Sequence, residues 1–157
     1  EGEAAMVLEF AAERFAARGE TPVLQLSPLL LERDADGGFA VHVAGLVAEL
    51  ARAQAAGEDT DRLAYEFHQV MAGAVVDGCV ECRKASGCGT VALSGGVLQN
   101  TLFLDLCAKR LEREGFRVLR HRMYPPNDGG IALGQALYGM ALVAGDAGGQ
   151  QTSERQG

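Results

Sequence analysis

The fold is decided by residues 90–135, TVALSGGVLQNTLFLDLCAKRLEREGFRVLRHRMYPPNDGGIALGQ. A short apolar run at 90–93 is typical of a buried strand, and a helical pattern at about 98–114 follows it up to Gly115. Residues 116–121 alternate as a strand does, and a second helix is predicted at about 130–144. This strand–helix–strand–helix order predicts a parallel sheet with helices packed against it, an α/β architecture.

The chain upstream of this stretch is mainly helical by pattern. Apolar residues at helical spacing predict a helix from about residue 3 to Gly19, and Asp59 or Thr60 is expected to cap a long helix at 61–85. Between them we expect an irregular strand or extended segment at 22–31 and a turn at 34–38. A short strand, or the residues that lead into a helix, follows at 39–43, and a helix is expected at 44–56.

Composition limits the classes of function. The 157 residues carry 14 Lys and Arg against 21 Asp and Glu, a net charge of −7, and 48% are hydrophobic. An acidic chain is a poor candidate for binding nucleic acid, and no apolar run approaches the length of a membrane span. We expect a soluble cytoplasmic protein with one domain at 1–144 and a disordered tail at 145–157.

Two glycine-containing bends follow the two predicted strands, at Ser94-Gly95-Gly96 and at Pro126-Asn-Asp-Gly-Gly. In parallel sheets, ligands bind beyond the carboxyl ends of the strands, so the bends are expected to share a pocket. Backbone without Cβ atoms can approach a phosphate, and Asn100 in the first helical turn can hydrogen-bond a ribose or a base. The alternative is a glycine turn that only packs a helix on a sheet.

Asp128 precedes the last predicted helix, where a carboxylate is an ordinary N-cap. A carboxylate is also a ligand that hard divalent cations prefer. Taken alone, the residue type favours the cap.

The cysteines and histidines give weaker signals. Zinc binding by the four cysteines is a less favoured interpretation than free thiols, because three of the four fall within helical patterns rather than tight turns. None of the histidines forms a metal-binding pair with another, and no sequence signal supports a hydrolase triad. The four cysteines are Cys79, Cys82, Cys88 and Cys107, and the three histidines are His42, His68 and His121.

Four stretches occur together in the order of a known family: Glu1-Gly2-Glu3-Ala-Ala-Met6, Phe67-His68, Leu93–Asn100 and Pro125–Gln135. Over residues 1–143 the chain resembles the C-terminal end of the HypF carbamoyltransferases of NiFe-hydrogenase maturation. The resemblance implies part of a Kae1-like domain, with the actin-like ATPase (RNase H-like) fold.

The resemblance also implies a reaction and a set of site residues. In that family, carbamoyl adenylate made from carbamoyl phosphate and ATP donates its carbamoyl group to the C-terminal cysteine of HypE. Gly95, Gly96 and Asn100 match the nucleotide-contacting motif, and Glu1 and Gly2 match a further loop near the nucleotide. Asp128 matches a ligand of a divalent metal, which reverses the preference for a cap. No residue matches a catalytic nucleophile.

The family's two metal-ligand histidines and its YrdC-like domain are not among these residues. We therefore expect a C-terminal part of the enzyme that holds one wall of the site and is inactive alone. We expect it to bind the remainder of its parent chain, an acceptor of the HypE type, and other copies of itself. The alternatives are a Kae1-type tRNA threonylcarbamoyl transfer protein, an antibiotic O-carbamoyltransferase, and a non-catalytic actin-like interaction domain.

Overall fold

The computed structural model describes residues 2–20, 25–29, 31–33 and 38–150. Its elements in chain order are α1 (Glu3–Ala17), β1 (Leu31–Arg33), β2 (Phe39–Val41), α2 (Ala44–Ala55), α3 (Thr60–Ser86), β3 (Thr90–Leu93), α4 (Thr101–Arg113), β4 (Arg117–Arg120) and α5 (Ile131–Gln150), with 3₁₀ turns at Gly96–Gln99 and Asp128–Gly130.

The described residues form two compact units. The first unit comprises those within 1–93 and 100–120, and the second comprises those within 94–99 and 121–150.

The sheet of the first unit confirms the predicted α/β class. Strands β3 and β4 pair in parallel, with Thr90 opposite Arg117 and Leu93 opposite Arg120. The crossover between them includes α4, as parallel pairing requires. Strands β1 and β2 form a separate antiparallel pair, so the segment at 39–43 begins as a strand.

Helix α3 is the central element of the first unit. It begins after Asp59, whose side chain accepts the N–H of Asp61 at 2.9 Å, so the predicted capping residue is confirmed. It ends at Gly87, whose φ of +72° suits a residue without a Cβ. Small side chains let α1 approach this helix closely, in a buried cluster of Ala11, Ala12 and Ala64.

The single apolar stripe predicted for α3 describes only part of its packing. Leu26, Leu29 and Leu46 pack against Val70 and Ala74 on one side of the helix. The buried residues of α3 also include two polar ones, Glu66 and His68, at 0% and 3% exposure. The helix is therefore enclosed on more than one side.

The two C-terminal helices differ from their predicted bounds. A 3₁₀ turn at Gly96–Gln99 precedes α4, so α4 begins at Thr101 rather than near 98. Helix α5 continues to Gln150, beyond the expected end near 144. Residues 151–157 of the predicted disordered tail lie outside the described residues, and that part of the expectation stays a prediction. No helix in the described ranges is long and apolar enough to cross a bilayer.

Candidate functional site

The two glycine-containing bends meet in the second unit. The Gly95 N–H donates to the Pro126 carbonyl at 2.7 Å. The Ser94 hydroxyl lies 2.9 Å from Nε2 of His121. The chain segments that follow β3 and β4 are thus joined by direct hydrogen bonds, as a shared pocket requires.

A cavity of about 340 Å³ lies between these bends, with Asp128 in its wall. The Asp128 side chain is exposed, and its carboxylate has no hydrogen-bond or ion-pair partner among the residues that the structure describes. The carboxylate is available to a ligand. The lining residues are Ser94, Gly95, His121, Pro125, Pro126, Asn127, Asp128, Gly130 and Ile131.

Asn127, rather than Asp128, caps the turn before α5. Its Oδ1 accepts the Gly129 N–H at 3.1 Å and its carbonyl accepts the Gly130 N–H at 2.9 Å. The interpretation of Asp128 as a cap is therefore wrong. A Cβ on Gly130 would lie 3.0 Å from the Pro125 carbonyl oxygen, so a side chain there would require the backbone of the loop to shift.

Gly95 is required by its backbone conformation. Its φ of +108° lies in a region that L-residues rarely adopt, although a Cβ there would meet no atom within 4 Å. The N–H of Gly95 donates to the Pro126 carbonyl and is therefore not free to bind a phosphate. Among the residues that the structure describes, no backbone carbonyl outside the helices and strands accepts the Gly96 N–H.

Asn100, in the first unit, is the N-cap of α4 rather than a residue of its first turn. Its Oδ1 accepts the Phe103 N–H at 2.8 Å, and its Nδ2 lies 2.9 Å from Nε2 of His68. The Thr101 N–H donates to Oε1 of Glu9 at 2.8 Å. Side chains of the protein thus accept two of the backbone N–H groups at this helix start, which a phosphate could otherwise bind.

Gly2 is the N-cap of α1, with a φ of +87°, and its carbonyl accepts the Met6 N–H at 3.1 Å. Glu1 lies outside the described residues. The expectation that these two residues approach a nucleotide stays a prediction, as do the ligand roles of Gly95, Gly96, Asn100 and Asp128.

The thiols differ in environment. Cys107 is fully buried, and burial raises its pKa to about 11. Burial, with a smaller effect from Cys82, also raises the pKa of Cys79. Cys82 and Cys88 are exposed. Within the described ranges, no group of three or more His, Cys, Asp or Glu residues is placed to hold a metal ion.

The sequence pattern did not identify the partner residues in two polar pairs. His68 contacts Asn100 in the first unit, and Ser94 contacts His121 in the second. Each pair joins residues about 30 positions apart, which no local pattern reveals. In the sequence, His68 follows Phe67 on a predicted helix, and a histidine that becomes buried there needs polar partners.

Comparison with known proteins gives consistent matches. The family profile described as carbamoyltransferase, Kae1-like domain, second subdomain, matches residues 1–135. The carbamoyltransferase HypF of Rhodobacter capsulatus is 36% identical over 143 residues, which are 91% of this chain and 17% of that protein. Carbamoyltransferase HypF2 of Cupriavidus necator is 37% identical over 86 residues, 55% of this chain and 11% of that protein.

The fold also matches a solved structure. A crystal structure of full-length HypF in its phosphate- and nucleotide-bound form superposes with a TM-score of 0.77 and 25% identity, covering 91% of this chain and 18% of that one. This chain therefore spans less than a fifth of these relatives' lengths. The matches do not favour the tRNA-modifying, antibiotic-modifying or non-catalytic alternatives. The chain belongs to the HypF carbamoyltransferase family, in which it matches the second subdomain of the Kae1-like domain.

Proposed function

We propose that these residues form part of the carbamoyl-transfer site of a HypF-type enzyme of NiFe-hydrogenase maturation, which acts in the cytoplasm. The enzyme makes carbamoyl adenylate from carbamoyl phosphate and ATP, and transfers the carbamoyl group to the C-terminal cysteine of a HypE-type acceptor. The observation that carries the proposal is the cavity of the second unit, which two hydrogen-bonded bends line and to which Asp128 contributes an exposed carboxylate.

Nucleotide binding is assigned to Gly95, Gly96 and Asn100, which lie within six positions of one another in the chain. The absent side chains of the glycines let an adenylate approach the backbone, and the remaining hydrogen-bonding capacity of Asn100 suits a ribose or a base. A HypF structure of the same fold is described as phosphate- and nucleotide-bound, which supports a nucleotide as the ligand. Glu1 and Gly2 are assigned to the same nucleotide because they match a further loop of the family near it.

Asp128 is assigned as a ligand of a divalent cation. Its carboxylate oxygens are hard ligands, and the turn does not use them because Asn127 supplies the cap. Because the described residues place no group of three or more His, Cys, Asp or Glu side chains around it, we expect further ligands to come from substrate oxygens or from residues beyond this chain. When bound, the cation would neutralise charge that develops on the mixed anhydride, a contribution of several kcal/mol.

The transfer step needs no nucleophile from this chain. The acceptor thiolate attacks the carbamoyl carbon, a C–S bond forms, the bond to the phosphate oxygen breaks, and AMP leaves with the electron pair. The residues here contribute by holding the adenylate in place for attack, since positioning alone can supply a large part of the rate.

Assembly with other polypeptide is part of the proposal. Helix α1 exposes Met6, Val7 and Phe10, each at least 50% accessible, on a surface where the remainder of a longer parent chain can pack. In the absence of that partner we expect self-association through such surfaces. We expect no activity from this chain alone.

The experiment compares Asp128→Ala with Asp105→Asn in the full-length protein that contains these residues. Asp105 is an exposed carboxylate on α4 that makes only surface ion pairs, so it serves as the matched control. We expect Asp128→Ala to lower metal-dependent carbamoyl transfer to an acceptor cysteine by about 100-fold or more, and Asp105→Asn to leave the rate unchanged. Unchanged transfer in Asp128→Ala would remove the assignment of Asp128.

A further inference from the structure

The buried imidazole of His68 has a single tautomer that its neighbours determine. Nδ1 lies 2.7 Å from the carbonyl oxygen of Ala64, which can only accept, so Nδ1 carries a proton. Nε2 lies 2.9 Å from Nδ2 of Asn100, and that amide nitrogen can only donate, so Nε2 accepts and carries none. His68 is therefore neutral in this arrangement.

The orientation of the Asn100 amide follows from its other contact. Its oxygen accepts the N–H of Phe103 at 2.8 Å, which places the NH₂ group on the side of His68. A flipped amide would put NH₂ against the Phe103 N–H and oxygen against the unprotonated Nε2. Both contacts would then be repulsive, so His68 and the start of α4 select one orientation together.

The surroundings of His68 keep this contact in place. Its side chain is 3% exposed, with the rings of Phe67 and Phe103 edge-on at centroid distances of 5.8 and 6.4 Å. Water has little access to Nε2, so a lost amide donor would not be replaced. Asn100 itself is only partly buried, and its second N–H and second oxygen lone pair remain for a ligand.

We propose that His68 is a positioning residue of the nucleotide site, which presents the Asn100 amide to the nucleotide in one fixed orientation. The amide then offers one donor and one acceptor, a pair that suits a ribose hydroxyl because a hydroxyl both donates and accepts. This inference rests on the proposed function for Asn100 as a nucleotide ligand. His68 acts through Asn100 and does not itself touch the nucleotide.

The test is a double-mutant cycle on AMP binding in the full-length protein, measured by calorimetry. His68→Phe keeps the ring volume and removes both nitrogens. Asn100→Ser keeps an N-cap side chain and removes the amide. We expect each single variant to weaken AMP binding by about three- to tenfold, the effect of one lost hydrogen bond, and the double variant to be no weaker than Asn100→Ser.

Two controls separate positioning from packing. Val70→Ala perturbs the buried part of the same helix without touching the amide, and should leave AMP affinity unchanged. His68→Gln supplies an acceptor oxygen toward Asn100 and should restore affinity relative to His68→Phe. In ¹⁵N spectra of the unaltered protein, His68 should show a protonated Nδ1 and an unprotonated Nε2.

The outcomes distinguish the two proposals. Full AMP affinity in His68→Phe, additive losses in the double variant, or a protonated Nε2 would overturn the positioning role while leaving the nucleotide site intact. No AMP binding by the unaltered protein would instead remove the nucleotide site, and the positioning role with it.

Discussion

Glu66 should be the polar side chain whose replacement most strongly destabilises the first unit. It is fully buried on α3, and one oxygen accepts the backbone N–H groups of Gln25 and Leu26 at 3.0 and 3.3 Å. Its other oxygen pairs with Arg62 at 3.1 Å. The carboxylate thus ties the extended segment before β1 to the central helix.

The magnitude follows from what Glu66→Met leaves unpaired. Methionine has a similar volume, so no large cavity forms. The buried Leu26 N–H would lose its partner, which costs about 1–3 kcal/mol of stability. The exposed Gln25 would lose one hydrogen bond to a charged group, which contributes about 1.5–3 kcal/mol. Arg62 would keep its pair with Glu58, so it adds little. We expect the free energy of unfolding to fall by about 2.5–6 kcal/mol.

Urea unfolding followed by circular dichroism measures this loss, with Glu58→Gln as the control. Glu58 pairs with the same arginine but is exposed, so its replacement should cost no more than about 1 kcal/mol. Glu66→Gln, which keeps one acceptor oxygen, should lie between the two. A free energy of unfolding for Glu66→Met within about 0.5 kcal/mol of the unaltered protein would refute the stabilising role of Glu66. A loss for Glu58→Gln as large as that for Glu66→Met would refute it as well.

Three further outcomes are expected. Gly95→Ala should lower the free energy of unfolding by about 1–2 kcal/mol because Gly95 has a positive φ. Gly96→Ala should change it by less than about 0.5 kcal/mol, since Gly96 has open space around it and no positive φ. Equal losses of stability in the two variants, measured by calorimetry, would contradict this. Iodoacetamide should label the exposed Cys88 in the folded protein but reach Cys107 only after unfolding, since burial raises the Cys107 pKa to about 11; peptide mass spectrometry would show the order. Hydrogen bonding by Arg14 of α1 lowers the pKa of Asp61. The stabilisation from this ion pair should therefore be complete above the unfolded pKa of about 3.9, and it should be lost as the pH falls through the lower folded pKa. The difference in urea midpoint between the unaltered protein and Asp61→Asn should therefore shrink in acid, and a constant difference would count against the ion pair.

Local chemistry was sufficient to predict most of the elements. Asp59 caps α3 as predicted, because an N-cap depends on a side chain and the N–H two residues later. The parallel pairing of β3 and β4 followed from strand–helix–strand order. By contrast, Asn127 and Asp128 are both good capping residues one position apart, so the residue type could not decide between them.

The position of the candidate site could be predicted from the sequence, but the contacts between its residues could not. Two bends after parallel strands were expected to share a pocket, and Gly95 and Pro126 are hydrogen-bonded there. That this bond would consume the Gly95 N–H, or that Asn100 would turn toward His68, was not predictable. Such contacts depend on distances between backbone segments that the sequence pattern does not give.

By itself, the sequence determined the helices, the strand order, the acidic charge and the family of this protein, because each depends on residue types at short or fixed spacing. Only the tertiary structure decided which polar groups are buried and paired. Glu66 meets partners about 40 positions away, and His68 meets Asn100 across 32. A buried carboxylate or imidazole is stable only where folding places its partners, and that placement is a property of the packed chain rather than of any local pattern.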